Sequence, residues 1–146
     1  MFSDEFSLES DERVEIRDIS SEVQGIVDES GTRNGFVLVY TGHVTACLSI
    51  NEDDPELLED IRDNLLRLVP IEPEEGVYRH NEKYSSMPQE QNTHAHVISS
   101  MIKPFLAIPV EEGNLNLGNW QSLFFIELDG SRRRRVTVQV WGDSGE

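Results

Sequence analysis

Polar and apolar residues alternate strictly from Arg13 to Ile19, so Val14, Ile16 and Asp18 share one face of a half-buried strand. The period then changes. Val23, Ile26 and Val27 follow at helical spacing, and Ser20 or Ser21 can cap a short helix running to about Glu29. Gly31-Thr32-Arg33-Asn34-Gly35 is turn chemistry, with Asn34-Gly35 as a hairpin signal, and it leads into the apolar central strand Phe36–Tyr40. Thr41-Gly42-His43 interrupts that strand before Val44–Ile50 resumes it. Asp54 caps and Pro55 opens the strongest helix of the chain. Its stripe of Leu57, Leu58, Ile61, Leu65 and Leu68 is expected to face the core until Pro70 stops it. Residues 71–90 show no period and read as a long loop. A second helix is predicted over Gln91–Ile102, with Val97, Ile98, Met101 and Ile102 inward, and Phe105–Val110 is a strand. Gly113 and Gly118 then bracket alternating Asn and Leu in a turn that delivers Asn119 and Gln121 to one end of the strand Trp120–Leu128. Asp129-Gly130-Ser131 is a tight hairpin turn, and Arg132–Trp141 is the last strand.

This order argues for an α+β fold, an antiparallel β-sheet with helices packed on one face. Phe124, Phe125, Val136, Val138 and Trp141 are too apolar to leave wet on the other face, so contact with further subunits is expected there.

The 146 residues suit a single domain over residues 13–146, preceded by a flexible acidic N-terminus over residues 1–12. Net charge is −16, and arginines outnumber lysines ten to two. Acid excess with scarce lysine fits a chain kept soluble in concentrated salt, and equally a chain that merely carries an acidic surface. Either way nucleic-acid binding is disfavoured, because the field repels phosphate backbones. A lone cysteine, Cys47, fits a reducing compartment and lies in a strand pattern, where it reads as core rather than nucleophile. No apolar run is long enough for a membrane span and the first twelve residues lack a signal-peptide layout, so a cytoplasmic protein is expected.

Histidines and arginines supply the candidate chemistry. His43 sits at the strand break with Thr45 on its face, His80 lies in the long loop, and His94 and His96 open the second helix. Residues two apart on a helix diverge by roughly 200°, so only one of that last pair should face a pocket. His96 shares a face with Asn92 and is preferred, leaving His94 exposed to solvent. Three imidazoles with Glu52 could make a zinc-type or acid–base set, although no spacing matches a known zinc motif and scattered histidines explain the pattern as well. Arg132-Arg133-Arg134-Arg135 reads either as a ladder neutralising the chain's own acids or as a phosphate site, with two arginines on each strand face.

Five co-linear blocks carry a family resemblance: His43 to Glu52, Tyr78-Arg79-His80, Ala95-His96, Gly113 to Gln121, and Glu127 through Asp129-Gly130 into the arginines. Together they resemble the YjbQ-like, or secondary thiamine-phosphate synthase, family across residues 13–142. Asn119, Ser131 and Lys103 stand where that family usually has Thr, Pro and Gly. The resemblance implies an α+β subunit, commonly a homotrimer, with a His-rich pocket near subunit contacts and sometimes a bound metal. It also implies a weak activity that joins hydroxymethylpyrimidine diphosphate to thiazole phosphate and releases pyrophosphate. On that basis His43, His80 and His96 would hold a divalent metal (zinc or magnesium) or orient phosphate, and Glu52 would tune a histidine or meet the aminopyrimidine. Arg132 and Arg134, or their neighbours on the strand face that meets the pocket, would stabilise the departing diphosphate. Trp120 would stack on a planar ring, and Thr45, Asn92, Asn119 and Gln121 would supply neutral contacts. The competing expectation is a small-molecule or metal-binding protein of unknown ligand, with transferase activity only on the side.

Overall fold

The computed structural model describes residues 1–144. Its strands are β1 (Phe2–Glu9), β2 (Glu15–Asp18), β3 (Asn34–Tyr40), β4 (Ala46–Asn51), β5 (Phe105–Glu111), β6 (Asn114–Leu115), β7 (Ser122–Glu127) and β8 (Arg133–Asp143). Its helices are α1 (Ser20–Ser30), α2 (Pro55–Leu68), α3 (Arg79–Lys83) and α4 (Thr93–Met101). The fold is α+β, but the strands form two antiparallel sheets where one was expected. One sheet has the order β1-β8-β3-β5-β6 and the other β2-β7-β4.

Strand alternation explains why the two sheets stack. Val37 and Val39, Leu106 and Ile108, and Val136, Val138 and Val140 turn to one face of the larger sheet. They meet Ala46, Leu48, Leu123 and Phe125 from the smaller sheet, and Val23, Ile26 and Val27 of α1 join them. The opposite face of the smaller sheet presents Cys47, Ile126 and Leu128 to Ala95 and Ile98 of α4, with Leu65 and Leu66 of α2 alongside. Phe124, Phe125, Val136 and Val138 are therefore buried within the chain, and no second subunit is needed to cover them. Each such fully buried side chain contributes about 1.5–3 kcal/mol. What stays open is the outer face of the larger sheet, where Phe36, Tyr40, Phe105 and Trp141 are 46%, 47%, 49% and 43% exposed. Phe36 and Trp141 stack there with ring centroids 6.3 Å apart.

Several expectations fail for identifiable reasons. Residues 1–12 are not a loose tail: β1 pairs with β8 from Phe2↔Val140 to Glu9↔Arg133. Phe2, Phe6 and Leu8 pack against the core, while Glu5 and Glu9 lie on the other face of the alternating strand and Asp4 stays exposed. Asn34-Gly35 is no hairpin turn but the start of β3. A Cβ on Gly35 would lie 1.8 Å from the Trp141 carbonyl oxygen, so glycine serves the close approach of β8. The turn sits earlier, where Gly31 ends α1 in the left-handed region at φ 68°.

In α2, Leu57, Leu58, Ile61 and Leu65 are only half-buried and Leu68 is 72% exposed. The expected loop over 71–90 contains α3 and a 3₁₀ turn at Pro88–Glu90. In α4 the inward residues are His94, Ala95 and Ile98, while Val97 and Met101 are exposed. No helix of the described residues is long and apolar enough to cross a membrane.

Candidate functional site

Glu127 ends β7 on the face that looks between the sheets, where a lone carboxylate would be strongly unfavourable. Its partner comes from β8. Arg134 shares a strand face with Val136, Val138 and Val140, and its Nε donates to Glu127 Oε1 at 2.8 Å. Arg134 Nη2 donates to Glu127 Oε2 and to Thr45 Oγ1, and the Ser10 hydroxyl donates to Glu127 Oε1 at 2.7 Å. The Leu128 and Asp129 N–H groups complete the set on Oε2. Burial by itself would raise the Glu127 carboxyl; the bonds from Arg134, Ser10 and the backbone outweigh it and hold it below its usual range.

Two residues on, Asp129 tethers a second cluster. Asn92, which precedes α4, donates its Nδ2 to Asp129 Oδ2 at 2.9 Å, and Arg132 Nη2 donates to the same oxygen at 3.1 Å. His94 is fully buried with Nε2 2.9 Å from the Leu128 carbonyl, which fixes the proton on Nε2 in the neutral ring. Burial lowers its pKa, and the hydrogen bond to Leu128 only partly opposes that. His96 turns the other way and packs against His80, with ring centroids 5.1 Å apart, while Tyr84 stands 5.1 Å from His80 on another side. Asn81 of α3 holds the two short helices together by accepting bonds from the Thr93 N–H and hydroxyl. Burial and then the neighbouring His80 lower the His96 pKa, against a smaller pull from Asp129 and Glu90. The pair sits beside a carboxylate, and the lowered pKa favours the neutral form of His96. His80 Nδ1, Asn92 Oδ1 and His94 Nδ1 are buried without a hydrogen-bond partner. With Nε2 protonated, His94 Nδ1 is a bare acceptor, and so is Asn92 Oδ1.

The family model described as UPF0047 protein YjbQ-like matches residues 4–143. The chain belongs to that family. A UPF0047 protein of Methanothermobacter thermautotrophicus is 37% identical over 142 residues, 97% of this chain and 93% of that protein. A UPF0047 protein of Archaeoglobus fulgidus is 39% identical over 136 residues, covering 93% and 98% respectively. Among solved structures, a hypothetical protein of Aeropyrum pernix K1 superposes with a TM-score of 0.88 at 32% identity, covering 98% of this chain and all of that one.

Within the YjbQ-like fold the predicted site residues part company. His80, His96 and Asn92 come together at α3 and α4. His43 lies elsewhere, its Nε2 accepting the Arg135 backbone N–H at 3.0 Å. Burial and then Arg134 lower its pKa, with Glu127 opposing. The three-histidine metal set is thus not assembled within one chain, and among the described residues no group of three or more His, Cys, Asp or Glu could hold a metal ion. Arg134 is the buried partner of Glu127, Thr45 is buried as a partner of Arg134, and neither offers a free contact to a substrate. Cys47 is core: burial pushes its thiol up to about 12, which removes it as a nucleophile. Gln121 folds back so that its Oε1 accepts the Gly118 N–H at 2.8 Å. Asn119 is exposed, and Trp120 and Glu52 border a separate cavity with Gln121.

His94 and Asp129 are the functional candidates that sequence reasoning passed over. The preference for His96 leaves His94 to solvent, although Ile98 lies one helical turn away on its face. Asp129 was absorbed into a turn. The signal for Glu127 was present: a carboxylate inside the apolar run Leu123–Leu128 requires a buried cation.

Proposed function

We propose that this YjbQ-like chain is a transferase of the thiamine-phosphate synthase type, joining hydroxymethylpyrimidine diphosphate to thiazole phosphate. The methylene C–O bond breaks with its electron pair leaving on pyrophosphate, and the thiazole nitrogen forms the new C–N bond. The observation that carries this reading is the His80–His96 pair, which adjoins buried acceptors with open valences and lies near cationic Arg132. Imidazoles can orient phosphate oxygens and pass a proton to the leaving group. Arg132 keeps N–H groups beyond those bound to Asp129, and its side chain is 46% exposed, which suits the charge that develops on pyrophosphate. Arg133 and Arg135 are exposed where Arg134 is buried, Arg135 beside Glu5 of β1.

One chain offers two adjacent imidazoles where a zinc site takes three or four donors, so its residues alone do not fit a resident metal. A divalent ion would arrive with the diphosphate, as part of the substrate.

The same proposal includes a homotrimer. Support comes from the open apolar face of the larger sheet, which a monomer would leave wet. His43 comes shortly after Tyr40 of that face, beyond Thr41 and Gly42, so a neighbouring copy is what would unite it with the His80–His96 pair. The test is product formation by purified protein. His96→Ala should abolish turnover, and mixing inactive His43→Ala with inactive His96→Ala should restore part of it. Full activity in both single variants would overturn the reading. A ligand-binding protein with side activity is the second reading, favoured by the structural commitment of Arg134. It predicts thermal stabilisation by pyrophosphate with negligible turnover.

A further inference from the structure

Trp120 is 75% exposed, the highest value among the large apolar side chains, and its position is not that of a floppy loop tip. The turn beneath it is closed twice, by the Gln121 N–H to the Gly118 carbonyl at 3.0 Å and by the Gly118 N–H to Gln121 Oε1 at 2.8 Å. An indole therefore projects from a fixed backbone into an open cavity of about 370 Å³ lined by Ile50, Asn51, Glu52, Trp120 and Gln121. No lining residue is basic. At the same end of the smaller sheet Asp18 closes β2, and Asp53 follows β4, its carboxyl pushed up by a hydrogen bond to Asp18. The cavity thus combines a rigid aromatic face, a carboxylate and a negative surround. That is the reverse of the arginine-flanked histidine pair.

We propose that Trp120 and Glu52 form a binding site for a flat, positively charged nitrogen heterocycle, stacked on the indole with its charge toward the carboxylate. Aromatic faces attract cations through the ring quadrupole, most strongly for tryptophan, and the carboxylate adds charge and orientation. An anion such as pyrophosphate is rejected here. The site stands on its own geometry; only the naming of its occupant as the aminopyrimidine ring, protonated beside a carboxylate, rests on the transferase reading above.

The experiment is a fluorescence and calorimetric titration of the whole protein with N-methylquinolinium, with uncharged quinoline, and with inorganic pyrophosphate at neutral pH. Saturable binding of the cation is expected, with quinoline weaker by roughly tenfold and no effect of pyrophosphate on Trp120 emission. Glu52→Gln should weaken the cation by a similar factor, Trp120→Leu should abolish binding, and Trp120→Phe should retain part of it. Equal binding of cation and neutral ring, or indifference to Glu52→Gln, overturns the proposal. So does Trp120 emission that changes only with protein concentration, which would mean that a second copy covers the indole. The two readings fail separately. Cation binding without any product formation leaves this site standing and removes the transferase; turnover untouched by Trp120→Leu and Glu52→Gln leaves the transferase standing and removes the aminopyrimidine as this site's occupant.

Discussion

Glu127 and Asp129 lie two residues apart at the end of one strand, yet their surroundings follow opposite rules. Around Glu127 both carboxylate oxygens are occupied, by Arg134, Ser10 and two backbone N–H groups, in a space closed by valines. Around Asp129 the partners are themselves incomplete, since Asn92 and the nearby His94 and His80 keep buried atoms without partners. A saturated polar cluster holds the sheets in register; an unsaturated one is held in place by the fold and leaves valences for something else. Charge alone does not separate them, because each cluster contains an arginine from the same four-residue run.

Breaking the saturated cluster should have the largest effect. Arg134→Ala strands a buried carboxylate and should cost about 3–5 kcal/mol in urea unfolding, while pairing Arg134→Met with Glu127→Leu should recover much of it. If Arg134→Ala shifts the midpoint no more than a surface substitution, the contrast collapses. Asn92→Ala removes a bond to a charged acceptor and should cost less, about 1.5–3 kcal/mol by the same measurement.

Acid sharpens the comparison further. The folded-state pKa of His94 lies below the ordinary value near 6.5, so between the two the unfolded chain binds more protons. Its contribution is therefore present above about pH 6.5 and lost as pH falls toward its folded-state pKa. Glu127, also depressed, adds a second loss only below its ordinary range near 4.5. Thermal midpoints measured in His94→Gln should show a smaller first step, the remainder coming from His43 and His96, and keep the second. Smallest of all, His96→Ala should alter stability by no more than about 0.5 kcal/mol, because its ring bears on a half-open site. That variant should nevertheless abolish turnover.

Much of the architecture was legible from period alone. The α+β class, α1, the start of α2 at Pro55 and the strands β3, β5 and β7 follow from alternation, helical spacing and capping residues. Errors arose where two rules competed. Acid content argued for disorder over residues 1–12 and hid the alternation of Phe6 and Leu8. In α4 bulk suggested Val97 and Met101 as the inward pair, yet the face shared by His94, Ala95 and Ile98 won, because Leu128 offers the imidazole a carbonyl. The resemblance singles out His80 and His96, whose rings lie 5.1 Å apart, and helical spacing places Asn92 on the face of His96. It could not show that alternation along β8 turns Arg134 inward, nor that His43 would be held by the backbone of Arg135.

The pairing of β1 with β8 has a consequence for how the molecule is made. Register partners such as Phe2 and Val140 are separated by nearly the whole chain, and β3 waits for the same strand. Closure of the larger sheet is thus a late, long-range event, slow by its topology. Until it happens, two strand edges and the valines of the main core remain open to the wrong neighbours.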